Sequence, residues 1–191
     1  FAGALADLER AGAVLVELDY AAPGALWGAS MPVLMYELRE TMDAYLGSLP
    51  GKGQPRSLAD LVAFNKATAD IEMRWFGQQL FEQALATTDA AAYAKNLATV
   101  RQFSRAEGID KLMADHKVAF LVAPTQGPAW SADLVNGDNF SGRIGAGYLA
   151  AMAGYPHLTV PMGAVEGLPI GLSIMAGRWQ DHAVLKAGAA Y

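Results

Sequence analysis

Residues 153–178 constrain this chain more than any other stretch of it. They read Ala-Gly-Tyr-Pro-His-Leu-Thr-Val-Pro-Met-Gly, then Ala-Val-Glu, then Gly-Leu-Pro-Ile-Gly-Leu-Ser-Ile-Met-Ala-Gly-Arg. Residues 158–160 and 170–176 are apolar runs of strand length, and Glu166-Gly167 between them carries turn chemistry, so two paired strands are expected. Gly154 and Pro156 precede the first strand, Pro161 and Gly163 follow it, and Pro169 and Gly171 open the second. These residues fix or free φ at defined points and so bracket the pair.

Upstream the pattern is mostly helical. Phe1, Leu5 and Leu8 recur at helical spacing before Gly12, and residues 13–18 then make a β-rich run, the helix-into-strand order of an α/β protein. Ser30 is expected to cap the next helix with Pro32 in its first turn, and Leu34, Leu38, Met42 and Tyr45 or Leu46 form an apolar stripe. Pro50, Gly51, Gly53 and Pro55 mark a surface loop, after which Ser57 and Asp60 resemble a capping box. Ile71, Trp75, Phe76, Leu80 and Phe81 extend the helical character as packing residues, and Asp89 caps a further helix that Gly108 breaks. Residues 118–123 read as a buried strand ending at Pro124, and ligands in open α/β sheets gather at such carboxyl ends. A Gly- and Pro-interrupted loop follows, then a helix over 142–153 of small residues closed by Gly154, and a last helix capped by Asp181.

Of the 191 residues 53% are hydrophobic and 17% charged, with no apolar run long enough to span a membrane. That apolar excess suggests a face that packs against more polypeptide. A net charge of −5 with 14 Lys plus Arg argues against nucleic acid as a partner, since phosphate binding needs concentrated positive charge. With no cysteine there is no disulfide, thiolate nucleophile or Cys-type metal site, and the compartment stays open between cytoplasm and, behind an unseen signal peptide, periplasm. His116 and His182 each stand beside an Asp at a helix end and do not form a metal set. His157 could enter a triad with Ser141 or Ser173 and Asp138, but no spacing enforces it, so a satisfied core or edge histidine is expected.

The ordered punctuation of residues 153–178 resembles the C-terminal signature of the amidase signature family. Residues 122–130, Val-Ala-Pro-Thr-Gln-Gly-Pro-Ala-Trp, upstream of Gly154-Tyr155-Pro156-His157, make it most similar to bacterial peptide amidases. The resemblance implies an α/β fold, a mixed β-sheet flanked by α-helices, and hydrolysis of carboxamides by a Ser-Ser-Lys set that the family carries in its N-terminal half. This chain has no Gly/Ser-rich tract and no adjacent serines. The expectation is therefore one region, residues 1–191, forming the C-terminal part of an amidase domain whose catalytic part is absent, with no catalytic residue, metal or cofactor of its own. Its partner would be the N-terminal catalytic portion of the same enzyme, and its substrate a small amide or peptide amide. The pocket wall would come from Thr125, Gln126 and Trp130, with Ser141 and Ile144 at the start of the following helix, where free N–H groups could receive a polar substrate group. Arg143 and Ile144 depart from the small or hydroxyl residues of peptide amidases. The alternatives are a non-catalytic α/β binding or scaffold module, or a protein similar to the amidotransferase subunit that supplies ammonia for charged tRNA.

Overall fold

The computed structural model describes residues 1–139 and 144–191. In chain order its elements are α1 (Ala2–Arg10), α2 (Gly24–Ser48), α3 (Leu58–Ala67), α4 (Ala69–Glu72), α5 (Gln79–Ala86), α6 (Ala90–Arg101), a π-helical stretch (Gln102–Ile109), α7 (Asp110–His116), β1 (Leu121–Pro124), α8 (Gly147–Ala153), β2 (His157–Val165), β3 (Leu168–Met175) and α9 (Asp181–Ala190). They fall into two compact units, residues 24–99 and residues 1–23 with 100–191.

The helical unit, 24–99, is centred on Met35, Leu58 and Ala84, with Leu38, Met42, Leu61, Phe81 and Leu85 packed around them. The Ser57 hydroxyl caps α3 as expected, accepting from the Asp60 N–H at 3.1 Å. Asp60 reaches back to the N–H of Arg56 at 2.9 Å, the bond that chiefly lowers its pKa, with hydrogen bonding to Ser57 lowering it further. Asp89 Oδ1 accepts from the N–H groups of Ala91 and Ala92, the expected cap.

Three local expectations are corrected here. The helix α2 begins at Gly24, so Ser30 is an interior residue whose hydroxyl donates to the Trp27 carbonyl, and Pro32 sits inside the helix. A proline there leaves the carbonyl of Gly28 without its helical donor, which bends a helix. The buried residues of this helix are Leu26, Ala29, Val33 and Met35, with Leu38 and Met42 of the expected stripe half-buried beside Met35, while Leu34 and Tyr45 of that stripe are exposed. The helical run expected through Ile71 to Phe81 is broken after Ala67 and again between Glu72 and Gln79. Only Phe81 joins the core, and Phe76 is 75% exposed.

In the other unit the strands form an antiparallel sheet in the order β1-β3-β2. Glu166 and Gly167, at φ 48° and 79°, make the β2–β3 turn with both central residues left-handed, as a type I′ hairpin requires. Both strands run longer than the apolar core of each suggested, and Pro161 is accommodated beside an irregularity at 161–163. The β-rich run at 13–18 joins no ladder among the described residues, and Val14 is 90% exposed, because strand propensity without a partner does not make a sheet. Asp181 is one residue inside α9, after Gln180, and makes no side-chain cap. Gly108, at φ −110° and ψ −112°, breaks the π-helical stretch as expected, bringing its backbone close under Leu149 of α8.

Register gives this sheet two unlike faces. Val122, Ile174 and Leu158 lie side by side, and with Val160, Ala176 and Phe120 they pack on Val184 and Ala187 of α9. The alternate residues point the other way: His157, Thr159, Ser173 and Met175, with Ala123 paired to Ser173.

Candidate functional site

Ser173 is the one hydroxyl in the fully buried run 172–176, and its own exposure is 0%. A buried hydroxyl must find partners, and Ser173 finds two. Its Oγ lies 2.7 Å from His157 Nε2 and donates to Thr125 Oγ1 at 2.9 Å. The Thr125 hydroxyl continues to Thr159 Oγ1 at 3.3 Å. With each hydroxyl donating once, the chain runs from Nε2–H through Ser173 and Thr125 to Thr159.

Glycines make the row possible. At Gly171 a Cβ would lie 3.1 Å from Thr125 Oγ1 and closer still to Thr159 Cγ2, so a side chain there would separate the two threonines. At Gly147, the first residue of α8, a Cβ would lie 3.0 Å from His157 Cε1, so the bare helix start covers that edge of the ring. The His157 residue keeps open surface elsewhere, but the Cε1–Nε2 edge is enclosed between Gly147 and Ser173. This burial lowers its pKa below 6.5 and favours the neutral ring.

Thr125 is held by its backbone as well. Its N–H donates to the Gly171 carbonyl at 2.7 Å, extending the β1–β3 ladder one residue beyond Pro124. Gly145, at φ 109°, passes so close that a Cβ would be 2.7 Å from the Pro124 carbonyl oxygen and nearer to that of Thr125. Only glycine suits that backbone and that distance. Thus Thr125 and the backbone beside Ile144 meet. Gln126 and Trp130 continue the same loop with open surface, Trp130 being 39% and Ile144 54% exposed. Ser141 lies outside the described residues. The helix expected from 142 begins at Gly147, so Ile144 precedes it rather than occupying its first turn.

At the far end of α8, Gly154 closes the helix in the left-handed conformation, as expected from its position. Arg105 Nε donates to the Ala153 carbonyl at 2.7 Å, and its guanidinium stacks over Tyr155, whose hydroxyl donates to Asp110 at 2.9 Å. Burial first, then that hydrogen bond, raises the Tyr155 pKa. These contacts fix the corner from which His157 enters the sheet.

The pairing of His157 with Ser173 is a contact that sequence spacing did not enforce. Its geometry is not that of a hydrolytic triad: Ser173 is buried, and its hydroxyl proton goes to Thr125 Oγ1 rather than to the imidazole that would have to take it. Sequence reasoning missed the roles of Thr159 and Gly171. The available signal was a lone serine inside an apolar strand, one pleat from a glycine. Among the described residues no group of three or more His, Asp or Glu could hold a metal, and no helix is long and apolar enough to cross a membrane.

The family model described as Amidase matches residues 1–185. The native peptide amidase from Stenotrophomonas maltophilia superposes on the whole chain with a TM-score of 0.87 and 38% identity, the chain covering 38% of that structure. A probable amidase of Arabidopsis thaliana is 30% identical over 83% of this chain and 28% of its own length. A glutamyl-tRNA(Gln) amidotransferase subunit from Pseudomonas entomophila is 25% identical over 97% of this chain and 39% of its own length. The chain thus spans between a quarter and two fifths of the length of these three proteins. From the family match along nearly its whole length, and a fold shared with a peptide amidase, the chain belongs to the amidase family.

Proposed function

We propose that this chain is the substrate-wall and sheet-completing part of an amidase that hydrolyses the carboxamide C–N bond of peptide amides. In this reading the Ser-Ser-Lys chemistry belongs to an N-terminal catalytic portion, and none of the residues 1–191 attacks the amide. The observation that carries it is the fixing of Thr125 by three separate devices, the Gly171 carbonyl, the Ser173 hydroxyl and the close passage of Gly145. So much constraint at the mouth of a loop is economical if the loop must hold a shape. Gln126 has the donor and acceptor pair that matches a carboxamide or a peptide bond, and Trp130 and Ile144 offer apolar surface to a peptide side chain. The likeness to a peptide amidase across the whole chain supports this substrate class over the tRNA-linked alternative.

Ammonia release from a panel of peptide amides and aryl amides tests the reading, comparing the 191-residue chain with the product of the uninterrupted gene. Activity on peptide amides in the longer product alone is the expected result. Activity in the short chain would place a nucleophile inside it and overturn the assignment. In the active product, Gln126→Ala is expected to raise KM for peptide amides about three- to tenfold, the worth of one hydrogen bond.

A further inference from the structure

The amidase reading leaves one partly covered polar group without a task. His157 begins β2, an edge strand of the described sheet, yet its imidazole points onto the sheet face opposite α9 and meets a buried serine. A leucine there would fill the same space beside Gly147 without requiring Ser173 to be anything but alanine. Instead polar side chains from three strands or their ends are joined in series, His157 to Ser173 to Thr125 and on to Thr159 of β2, and Thr125 is the first residue of the 125–130 loop. We propose that His157 is a positioning residue for the substrate wall: through Ser173 Oγ it sets the Thr125 side chain, and so the direction in which the 125–130 loop leaves the sheet. This rests on the proposed function for its consequence in catalysis, but not for its structural content.

The physical argument has two steps. A buried Ser173 hydroxyl has one proton and must choose an acceptor. With Nε2–H donating to it, the proton is directed to Thr125 Oγ1; without the imidazole it is free to turn away, and Thr125 loses its orienting donor. Thr125 is then held at its backbone by its N–H to Gly171 and the contact with Gly145, and at its side chain only by the long 3.3 Å bond to Thr159 Oγ1. The side chain and the ψ of Thr125 become its least constrained variables, and Gln126 and Trp130 follow them. His157 touches neither the loop beyond Thr125 nor, in this reading, the reacting amide, so its effect belongs to substrate binding.

The test uses the product of the uninterrupted gene and two readouts, backbone hydrogen exchange by mass spectrometry and steady-state kinetics. His157→Leu should accelerate exchange in peptides covering residues 125–130 about three- to tenfold, the weight of one buried hydrogen bond, while peptides from α9 keep the wild-type rate. Ser173→Ala should do the same, the double variant should add nothing further, and His157→Gln, which keeps a donor, should restore most of the protection. On any peptide amide the enzyme hydrolyses, KM should rise by a similar factor with kcat within about twofold. Unchanged exchange at 125–130 in His157→Leu overturns the proposal, and so does acceleration spread equally to α9, or additive effects in the double variant. If His157→Leu does not fold, Ser173→Ala and His157→Gln decide by the same exchange criterion. A wild-type enzyme inert toward every amide would instead sink the proposed function, and the exchange result would still decide whether His157 positions the loop.

Discussion

The two faces of the three-stranded sheet are made by the same strands in alternating registers, and they are held together by different physics. On one, Val122, Leu158, Val160 and Ile174 meet Val184 and Ala187 of α9. Non-directional burial suffices there, a fully buried aliphatic such as Ile174 contributing about 1.5–3 kcal/mol and the partly buried ones less. On the other, His157, Ser173, Thr125 and Thr159 form a row in which each group is useful only in one orientation. Such a row adds little net stability, because the hydrogen bonds replace those to water, but it is intolerant of error. The comparison teaches that here stability and geometry are assigned to opposite sides of one sheet. Truncation should therefore produce different signatures on each. The largest effect is expected for Ile174→Ala, at about 2–5 kcal/mol of destabilisation in urea melts of the full-length product, because Ile174 is almost completely buried. KM for an amide substrate should barely change. A large KM effect would erase the distinction between the faces.

On the polar face the expected losses are smaller and more specific. Gly171→Ala places a methyl against Thr159 Cγ2 and Thr125 Oγ1 and should cost about 1–3 kcal/mol by overpacking. Adding Thr159→Ser, which deletes the offending methyl, should recover a large part of that loss. Failure of the rescue would mean that the backbone of Gly171, rather than the space above it, is what matters. Ser173→Ala comes next, at about 1 kcal/mol, since it leaves His157 Nε2 and Thr125 Oγ1 facing a methyl while both residues retain some access to water.

How much of this was legible beforehand follows the same division. The strand pair, its Glu166-Gly167 turn and the Gly154 helix stop are set by local φ preferences, which a sequence displays directly. The caps at Ser57 and Asp89 are equally local. What was not legible depends on partners distant in the chain. Residues 13–18 have strand composition but no strand beside them, and Trp75 and Phe76 have core composition but stand exposed. The start of α2 was misread because Ser30 and Pro32 both suit a first turn, while the helix tolerates the proline inside it. At the candidate site, Thr125, Gln126, Trp130 and Ile144 could be proposed from motif order. The contact of His157 with Ser173 needed the register of β2 on β3, because a shift of one residue would have put the serine on the α9 face.

The smallest expected effect is also the one that separates the faces by kind rather than by size. Burial of the Cε1–Nε2 edge holds the His157 pKa below its ordinary 6.5. A histidine of that sort binds fewer protons folded than unfolded in the pH window below 6.5, so its contribution to stability is fully present above 6.5, is withdrawn as the pH falls, and stops changing once the pH passes below the folded pKa. Denaturation midpoints measured from about pH 8 to pH 5 should therefore fall with acidification in the wild type, by an amount tempered by the open surface of the residue. His157→Gln keeps a donor toward Ser173 but cannot titrate, and its curve should lose that part of the slope. Ile174→Ala should lower the wild-type curve by the same amount at every pH. If His157→Gln also shifts the curve in parallel, with its slope intact, then the imidazole contributes by packing alone, and the polar row is stabilised in the same way as the apolar face behind it.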